Sequence, residues 1–290
     1  MKPSTDIPLR TAIARAFVIA HREDTSRLEA ELRLQGIKTH VLRQDPDPHI
    51  LTFSAQMRCL LNHANAWKRA AESEGLTLFI EADFVPCRGF GGLSLPFDPS
   101  LHGELAWCYL YAGGPRIYSR LPSGHFLAHA CGCVAYVMPP KVARLAHIYT
   151  EELRIRHPEW NIYHPWDTEI QWYLMGDGAR AFIPRKQFGE HGGHSNPEHA
   201  YTAVGRRPAR RLLARAGIGV NHHADSLAAP LAFLPNYSRG RRLLFWRTRA
   251  EGRATGMLRF FCGKMACPLG KPPLIQRLSL IWHCAWRVLV

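Results

Sequence analysis

The sequence predicts an α/β fold in which helices flank a mainly parallel sheet, and three observations lead to this prediction. Short apolar runs of strand length alternate with amphipathic segments over residues 14–80. Each helical segment ends at a glycine, and 47% of the 290 residues are apolar, enough to bury a full core. The order strand, helix, strand, helix, strand requires right-handed crossovers, which place successive strands parallel in one sheet.

The first five predicted elements follow one another with short connections. In the first helical segment Leu28 and Leu32 lie one turn apart, and Gly36 ends the segment. In the second, Ser54 is suited to cap the first turn and Gly75 lies beyond the last one. The elements are a strand at 14–21, a helix at 24–36, a strand at 38–43, a helix at 54–75 and a strand at 76–80.

The next hundred or so residues predict further strands and one helix, with more irregular chain between them. A polar, aromatic segment and a loop-like segment receive no regular structure. The elements are strands at 105–113, 132–140 and 179–184 and a helix at 141–153, with the aromatic segment at 157–178 and the loop at 185–199.

Charge divides the chain at residue 205. Residues 206–290 contain 16 Lys and Arg against two acids, Asp225 and Glu251, whereas basic and acidic side chains balance in residues 1–205. A neutral body with a strongly basic extension is typical of a protein that rests on an anionic surface. We therefore predict a body at 1–205 and a basic, partly helical and amphipathic extension at 206–290.

The extension favours a membrane over nucleic acid as that surface. Its basic segments at 206–217, 238–249 and 274–290 interleave arginines with large aliphatic side chains and tryptophan, which is the pattern of an interfacial helix. Nucleic-acid binding would call for stacking aromatics in a recognisable module, and the sequence has none. The open alternative is that 274–290 docks on the core of the protein itself.

Three features bear on the cellular compartment. The sequence has no uncharged apolar run of about 18 residues, so no transmembrane helix is expected. The N-terminal stretch lacks a signal-peptide core and leads into the first strand. The eight cysteines form no paired CxxC set, so reduced thiols are expected. We predict a cytoplasmic protein that is peripheral at the inner face of the cytoplasmic membrane.

An acidic pair stands where the strand at 76–80 ends. Glu81 and Asp83 follow the apolar run LTLFI, and Pro86 and Gly89 then break the chain. In α/β proteins ligands sit at the carboxyl ends of parallel strands, so this strand tip is a candidate metal or catalytic site. The alternative is that Glu81 caps a turn and Asp83 is only solvated.

Five stretches carry a resemblance to a known family. They are FVIAHREDTSRLEAEL, CLLNHANAWKRAAESEGLTLFIEADF, CGCVAYVMPPKVARL, WDTEI and EHGGHS, spread between residues 17 and 195. Their order and spacing resemble glycosyltransferase family 25, the lipopolysaccharide-biosynthesis transferases with a GT-A fold. Two positions depart from the family pattern. Asn62 replaces a serine before His63, and Ala82 replaces the middle acid of a Glu-Asp-Asp triplet.

The resemblance implies a GT-A-like hexosyltransferase. It would move a sugar from a nucleotide-diphosphate donor, such as UDP-galactose or another UDP-hexose, to a saccharide or lipid-linked saccharide in lipopolysaccharide or other envelope glycan synthesis. The implied course is an inverting single displacement in which Mn²⁺ or Mg²⁺ neutralises the charge on the leaving diphosphate. The alternatives are an inactive transferase-like scaffold, because Ala82 replaces an acid, and a nucleic-acid-binding protein that uses the basic extension.

The resemblance also implies roles for residues of the site. Asp83 is expected to bind the metal together with His191 or His194, and imidazole ligands favour Mn²⁺ over Mg²⁺. The ordinary alternative for His191 and His194 is a His-rich surface loop. For Arg22 and Arg27 it is a charged first helical turn, and for His63 a helix histidine whose hydrogen bonds are satisfied within the protein. The residues expected to bind the nucleotide sugar are Arg22, Arg27, His63, Glu81 and Asp83.

A single displacement needs a base for the acceptor hydroxyl, and the segment HPWDTEI supplies the candidates. Asp167 is the preferred base because the resemblance places an acid there, and Glu169 is the second catalytic candidate. The aromatic side chains around them could pack on sugar faces or could fill a core beside a helix that begins near Asp167. These aromatic side chains are Trp160, Tyr163, Trp166 and Trp172.

Overall fold

The computed structural model describes residues 6–192, 223–236 and 241–289, with only the backbone at 241 and 242. The described helices are α1 Leu9–Ala12, α2 Ser26–Leu34, α3 Ala55–Ala71, α4 Pro99–His102, α5 Pro140–Arg156, α6 Trp166–Gly176, α7 Arg241–Phe261 and α8 Leu274–Leu289. The described strands are β1 Ile13–Ala20, β2 Thr39–Arg43, β3 Leu76–Glu81, β4 Phe84–Pro86, β5 Ala106–Tyr109, β6 Gly113–Arg120, β7 Phe126–Cys131, β8 Ala135–Met138, β9 Arg180–Ile183 and β10 Gly189–His191.

The described strands form one large mixed sheet and one small sheet. The large sheet has the order β2-β1-β3-β8-β5-β9-β7-β6, and β4 pairs with β10 in the antiparallel small sheet. β1 is parallel to β2 and β3, and β5 is parallel to β9, whereas β8 and β7 run against their neighbours. Six of the eight strands in the large sheet therefore share one direction. The predicted α/β class with a mainly parallel sheet is confirmed, and the arrangement is consistent with a GT-A-like fold.

The large sheet has a core on each face because its central strands are buried on both sides. In β1, Phe17 belongs to the larger core and Val18 to the other, and in β3 Phe79 and Leu78 divide in the same way. Helices α3, α5 and α6 contribute apolar side chains to the larger core, and α2 contributes Leu28 and Leu32 to the other.

Several parts of the described fold were not foreseen, among them β10, which lies inside the segment 185–199 that was predicted to be a loop. The hairpin of β6 and β7 lies in a stretch without a predicted element, at the end of the large sheet where β6 alternates between buried and exposed positions. Helix α6 lies inside the polar, aromatic segment at 157–178, where a helix beginning near Asp167 was only the alternative interpretation. Its buried residues Trp166, Ile170 and Leu174 do recur every four positions, but Pro165 precedes it without a capping side chain.

The described parts of the basic extension pack on the body. Leu280, Cys284 and Val288 of α8 join the larger core, so one face of α8 docks on the protein as the alternative interpretation expected. Gly252 and Gly256 let helix α7 approach the segment around Ala224 closely, because a Cβ at Gly252 would collide with the carbonyl oxygen of Ala224. The predicted division at residue 205 and the basic segment 206–217 lie outside the described residues.

Within the described residues, no helix is both long enough and apolar enough to cross a membrane. All eight cysteines are free thiols.

Candidate functional site

The candidate site lies where β1, β2 and β3 end. The amide nitrogen Nδ2 of Asn62 donates to the carbonyl oxygens of Ala20, at 2.9 Å, and of Leu42, at 3.0 Å. One buried side chain of α3 thus holds the carboxyl ends of β1 and β2 together. The departure from the family pattern at Asn62 has a structural role here, since an amide can donate two hydrogen bonds and a serine hydroxyl only one.

The acidic pair at the end of β3 meets a histidine brought by β10. β10 pairs with β4 so that His191 lies opposite Phe84, one residue after Asp83. The Nε2 atom of His191 lies 2.8 Å from Oδ2 of Asp83, and the backbone N–H of Gly192 donates to the Asp83 carbonyl. Glu81, Asp83 and His191 each offer one ligand atom, and these atoms lie within 4.8 Å of one another.

Asp83 and His191 form an ion pair at this edge. Burial lowers the pKa of His191, but the charge of Asp83 and its hydrogen bond raise it more, with help from Glu81 and Glu190, to about 9. Burial raises the pKa of Asp83, and the charge and hydrogen bond of His191 outweigh this effect and lower it. In the absence of a metal, Asp83 is therefore ionised and His191 is protonated near neutral pH.

The residues present suit a divalent cation. The Oδ1 atom of Asp83 is buried and has no hydrogen-bond partner in the part of the chain that the structure describes. An unpartnered carboxylate oxygen beside a second carboxylate and an imidazole is the donor set of a cation site. Mixed oxygen and imidazole ligands suit Mn²⁺ better than Mg²⁺. Asp83 and His191, two of the ligands expected from the sequence, would hold the metal, with Glu81 beside it. The other expected ligand, His194, lies outside the described residues.

Glu81 is oriented by a chain of hydrogen bonds from the core. Trp67 Nε1 donates to the Tyr136 hydroxyl at 2.8 Å, and that hydroxyl lies 2.7 Å from Nδ1 of His63. Because the hydroxyl accepts from Trp67, we assign its proton to the bond with Nδ1 and a ring proton to Nε2. Nε2 lies 3.2 Å from Oε1 of Glu81 and donates to it. Glu81 is thereby fixed as a hydrogen-bond acceptor at the site.

His63 thus lies behind Glu81. Its ring is fully buried and lies against Trp67, Tyr136 and Trp166. We therefore assign His63 the role of positioning Glu81, in place of the predicted contact with the nucleotide sugar. Cys59, one turn earlier on α3, also reaches Oε1 of Glu81, at 3.5 Å. Burial and the charge of Glu81 raise the pKa of Cys59 well above its usual range, so the thiol keeps its proton and donates.

Sequence reasoning did not identify Cys59 or Tyr136. A local signal exists for the first, because Cys59 and His63 stand four residues apart on one face of a helix. Cys59, His63 and Glu81 also lie close enough together to bind a metal, but the His63 ring is fully buried and bonded to Tyr136, which makes this group the poorer candidate. No local signal exists for Tyr136, which reaches His63 from 73 positions away.

The two arginines predicted to bind the donor lie in the connection from β1 to α2 and at the start of that helix. Both side chains are exposed, and Arg22 follows the end of β1 by two residues. The Arg27 guanidinium lies over the ring of Phe233, 4.5 Å from its centroid. Both residues are placed at the carboxyl edge of the sheet, and their contact with a diphosphate stays a prediction.

The two catalytic candidates occupy the first turn of α6 and have different surroundings. Glu169 accepts hydrogen bonds from His164 at 2.6 Å and from the Tyr149 hydroxyl at 3.0 Å. Burial raises the pKa of Glu169, and these two hydrogen bonds with the Arg156 charge lower it overall. A carboxylate held by this many donors links α5 to α6 and is a poor proton acceptor, so we assign Glu169 a structural role.

Asp167 is half-buried in the first turn of α6. Burial raises the pKa of the Cys133 thiol, and the charges of Asp167 and Glu81 raise it further. The charges of Glu81 and Asp167 also raise the pKa of the Cys59 thiol, in addition to the larger effect of burial. The role of Asp167 as the base stays a prediction.

The aromatic side chains of this segment serve mainly as core. Trp166 and Trp160 are buried, and Trp166 donates its Nε1–H to the carbonyl oxygen of Gln56. Trp172 is 46% exposed, but its ring lies against His129 with 4.1 Å between centroids. The interpretation as an aromatic core therefore applies to Trp160 and Trp166, and a sugar-stacking role is open only for the more exposed side chains.

Glu190 was also missed, and it anchors the strand that carries His191. It is fully buried, accepts a hydrogen bond from the backbone N–H of Ala224 and pairs with Arg249 of α7 at 2.6 Å. Burial raises its pKa, but hydrogen bonding from His223 and the charges of Arg249 and His223 lower it overall. Its main partner lies 59 positions further along the chain, so no local pattern could reveal it.

A surface pocket lies at the opposite end of β1, away from this site. Arg15, Phe17, His40, Arg69 and Glu72 line it. Arg15 and Phe17 are the third and fifth residues of β1, whereas the acids lie at and just beyond the carboxyl end of β3, which is parallel to β1. We place the candidate site at the carboxyl edge because the carboxylates and the histidine converge there.

Comparisons with known proteins add little to this picture. No protein-family profile matches the chain, and no curated protein matches it. One similar solved structure is described as "Crystal structure of a glycosyltransferase involved in the glycosylation of the major capsid of PBCV-1". The two are 11% identical, the similarity covers 58% of this chain and 80% of that one, and the TM-score is 0.34. A similarity at this level does not bear on activity.

Proposed function

We propose that the protein is a metal-assisted glycosyltransferase that uses a nucleotide-diphosphate sugar as donor. One observation supports this most directly. Glu81, Asp83 and His191 converge at the carboxyl edge of the sheet, and Oδ1 of Asp83 has no hydrogen-bond partner among the described residues. This edge is where α/β folds bind ligands, and a carboxylate–imidazole set can hold a cation that binds a diphosphate.

The chemistry of the transfer assigns a task to each residue. The acceptor oxygen attacks the anomeric carbon, the bond from that carbon to the diphosphate oxygen breaks, and the acceptor proton passes to a carboxylate of Asp167. A metal held by Asp83 and His191 would neutralise the charge of the leaving diphosphate. Glu81, fixed by His63, would hold the ribose or a metal-bound water. This single displacement inverts the configuration at the anomeric carbon.

The proposal extends to the substrates and the metal. The donor is a UDP-hexose such as UDP-galactose, the acceptor is a saccharide or lipid-linked saccharide of an envelope glycan, and the metal is Mn²⁺ or Mg²⁺. Arg22 and Arg27, exposed at the same edge, would add positive charge near the diphosphate. Thermal-shift measurements with a panel of nucleotide sugars, each with and without Mn²⁺, test this. Stabilisation that requires both sugar nucleotide and metal is expected.

Turnover separates the active enzyme from an inactive transferase-like scaffold. Ala82 stands where the family has an acid, and its backbone N–H donates to the carbonyl oxygen of Ile19. If the scaffold alternative holds, the protein binds donor and metal but neither transfers nor hydrolyses the sugar. Release of the nucleotide diphosphate, measured with and without Mn²⁺, distinguishes the two.

Metal binding should release a proton and should strengthen as the pH rises. His191 has a pKa of about 9 in the metal-free site, and a metal must displace that proton. Below this pKa the neutral fraction grows about tenfold per pH unit, so Mn²⁺ affinity should rise by up to that factor. Calorimetric titration in two buffers with different ionisation enthalpies counts the protons. His191→Gln should bind Mn²⁺ more weakly and without proton release. Equal proton release by the two proteins would remove His191 from the metal site.

Asp167→Asn should slow transfer by about 10²-fold or more, as expected for the loss of a general base. Donor affinity should change little, because in the proposed mechanism Asp167 faces the acceptor. The matched control is Asp177→Asn, which changes an exposed aspartate at the other end of the same helix. Initial rates and donor titrations of both variants provide the measurement. A variant that loses donor affinity at an unchanged rate would assign Asp167 to donor binding.

A further inference from the structure

The two C-terminal helices expose an unusual amount of apolar surface. Twelve of the twenty large apolar side chains that are exposed in the described residues lie within 241–289. On α8 five of the seven exposed large apolar side chains recur every three or four positions, which places these five in one stripe along the helix. This stripe consists of Ile275, Leu278, Trp282, Trp286 and Leu289, with exposed fractions of 77%, 55%, 64%, 37% and 53%.

The stripe lies opposite the face by which α8 docks on the body. That inner face is formed by Leu280, Cys284 and Val288, which are buried at intervals of four, together with Arg287. At 3.6 residues per turn the two sets fall on opposite sides of the helix. The apolar stripe is therefore not needed for docking on the core.

Helix α7 repeats this arrangement and contacts α8. Gly252 and Gly256 lie against Ala224 and Asp225, and the exposed side chains Leu243 and Phe261 lie on the other side of the helix. The four large apolar side chains exposed on α7 are Leu243, Trp246, Leu258 and Phe261, each more than 60% exposed. We call the exposed apolar side chains of α7 and α8 together the outer surface.

Positive charge accompanies the outer surface. Residues 241–289 contain eight arginines and two lysines, and Glu251 is their one acid. Arg249, Arg259 and Arg287 bind groups within the protein. A second group of basic side chains is exposed to solvent: Arg253, Lys264, Lys271 and Arg277. A second copy of the chain would bring like charges together, so charge complementarity favours an anionic partner.

We propose that the outer surface docks on an anionic lipid bilayer, with α7 and α8 lying in the interface rather than crossing it. Large aliphatic side chains would enter the headgroup–acyl boundary, tryptophans suit that depth, and lysine and arginine attract anionic headgroups. Nucleic acid would match the positive charge but not the apolar stripe, because its phosphates form no apolar contacts with leucine and isoleucine side chains. The proposal is independent of the transferase activity.

The test is co-sedimentation of the full chain with vesicles of phosphatidylcholine alone or mixed with phosphatidylglycerol. Binding should require the anionic lipid and should weaken in high salt. The double variant Ile275→Glu/Trp282→Glu should bind about tenfold more weakly or worse, since it removes two inserted side chains. The matched control is Leu34→Glu/Ile155→Glu, two side chains that are each 81% exposed on the body.

Each outcome decides the proposal. All substituted residues are exposed, so melting temperatures should match the unmodified protein, which makes loss of binding a property of the surface. The proposal is overturned by equal binding of the two double variants, by binding that does not need anionic lipid, or by no binding at all. If the outer surface instead joins two copies, ultracentrifugation without vesicles will show a dimer that only Ile275→Glu/Trp282→Glu disrupts.

Discussion

Asp83→Asn is expected to lower metal-dependent donor turnover by about 10³-fold, an effect of the size seen when a group that stabilises transition-state charge is removed. The substitution keeps the shape of the side chain, and the amide oxygen can still accept a hydrogen bond from His191. The lost feature is the negative charge, which both attracts the metal and sustains the raised pKa of His191. The fold should be unaffected, because the side chain is partly exposed at a strand end.

Two measurements separate this effect from a general loss of function. Electron paramagnetic resonance of free Mn²⁺ gives metal affinity directly, and nucleotide release gives turnover. Asp177→Asn is the control, because that aspartate is exposed at the end of α6 and lies outside the site. An Asp83→Asn protein that binds Mn²⁺ and turns over donor like the control would show that the metal site lies elsewhere.

Arg287→Met is expected to lower the free energy of unfolding by about 3–5 kcal/mol, the usual cost of removing one partner of a buried ion pair. Arg287 is fully buried, and its Nε and Nη2 atoms donate to the two carboxylate oxygens of Asp225 at 2.8 and 3.0 Å. Its Nη1 atom donates to the carbonyl oxygens of Pro184 and Arg185. The substitution would leave a buried carboxylate with only neutral partners and two carbonyl oxygens without this donor.

Urea denaturation of the variant and of Arg277→Met provides the test. Arg277 lies on the same helix but is exposed, so its replacement should change stability by less than about 0.5 kcal/mol. The double variant Arg287→Met/Asp225→Asn should recover part of the loss, because no buried charge then lacks a partner. Equal midpoints for Arg287→Met and Arg277→Met would show that this pair does not hold α8 to the body.

The sequence was informative wherever the pattern is local. Apolar runs and helix-ending glycines located β1, α2 and α3 to within a few residues, because each element buries its own apolar face. The break after β3 likewise placed Glu81 and Asp83 at the tip of a strand, and the crossover rule placed that tip at the same edge as the end of β1.

Long-range pairings were beyond reach of a single sequence. The residues of β8 do not reveal that this strand is antiparallel to β3, because a parallel strand in the same place would be equally short and buried. The contacts of Tyr136 with His63 and of Arg249 with Glu190 join residues that are 73 and 59 positions apart. Helix α6 was left unassigned for a different reason. Pro165 precedes it, and its many aromatic residues make the four-residue spacing of its buried positions hard to recognise.

The pairing of Asp225 with Arg287 also sets an order of events during synthesis. Asp225 leaves the ribosome 62 residues ahead of Arg287, which at about 5–20 residues per second is a wait of roughly 3–12 s. During that time the segment around Asp225 cannot settle into its final place, because its carboxylate would be buried without its cation. The part of the larger core that Leu280, Cys284 and Val288 cover in the folded protein therefore stays uncovered until α8 has been synthesised.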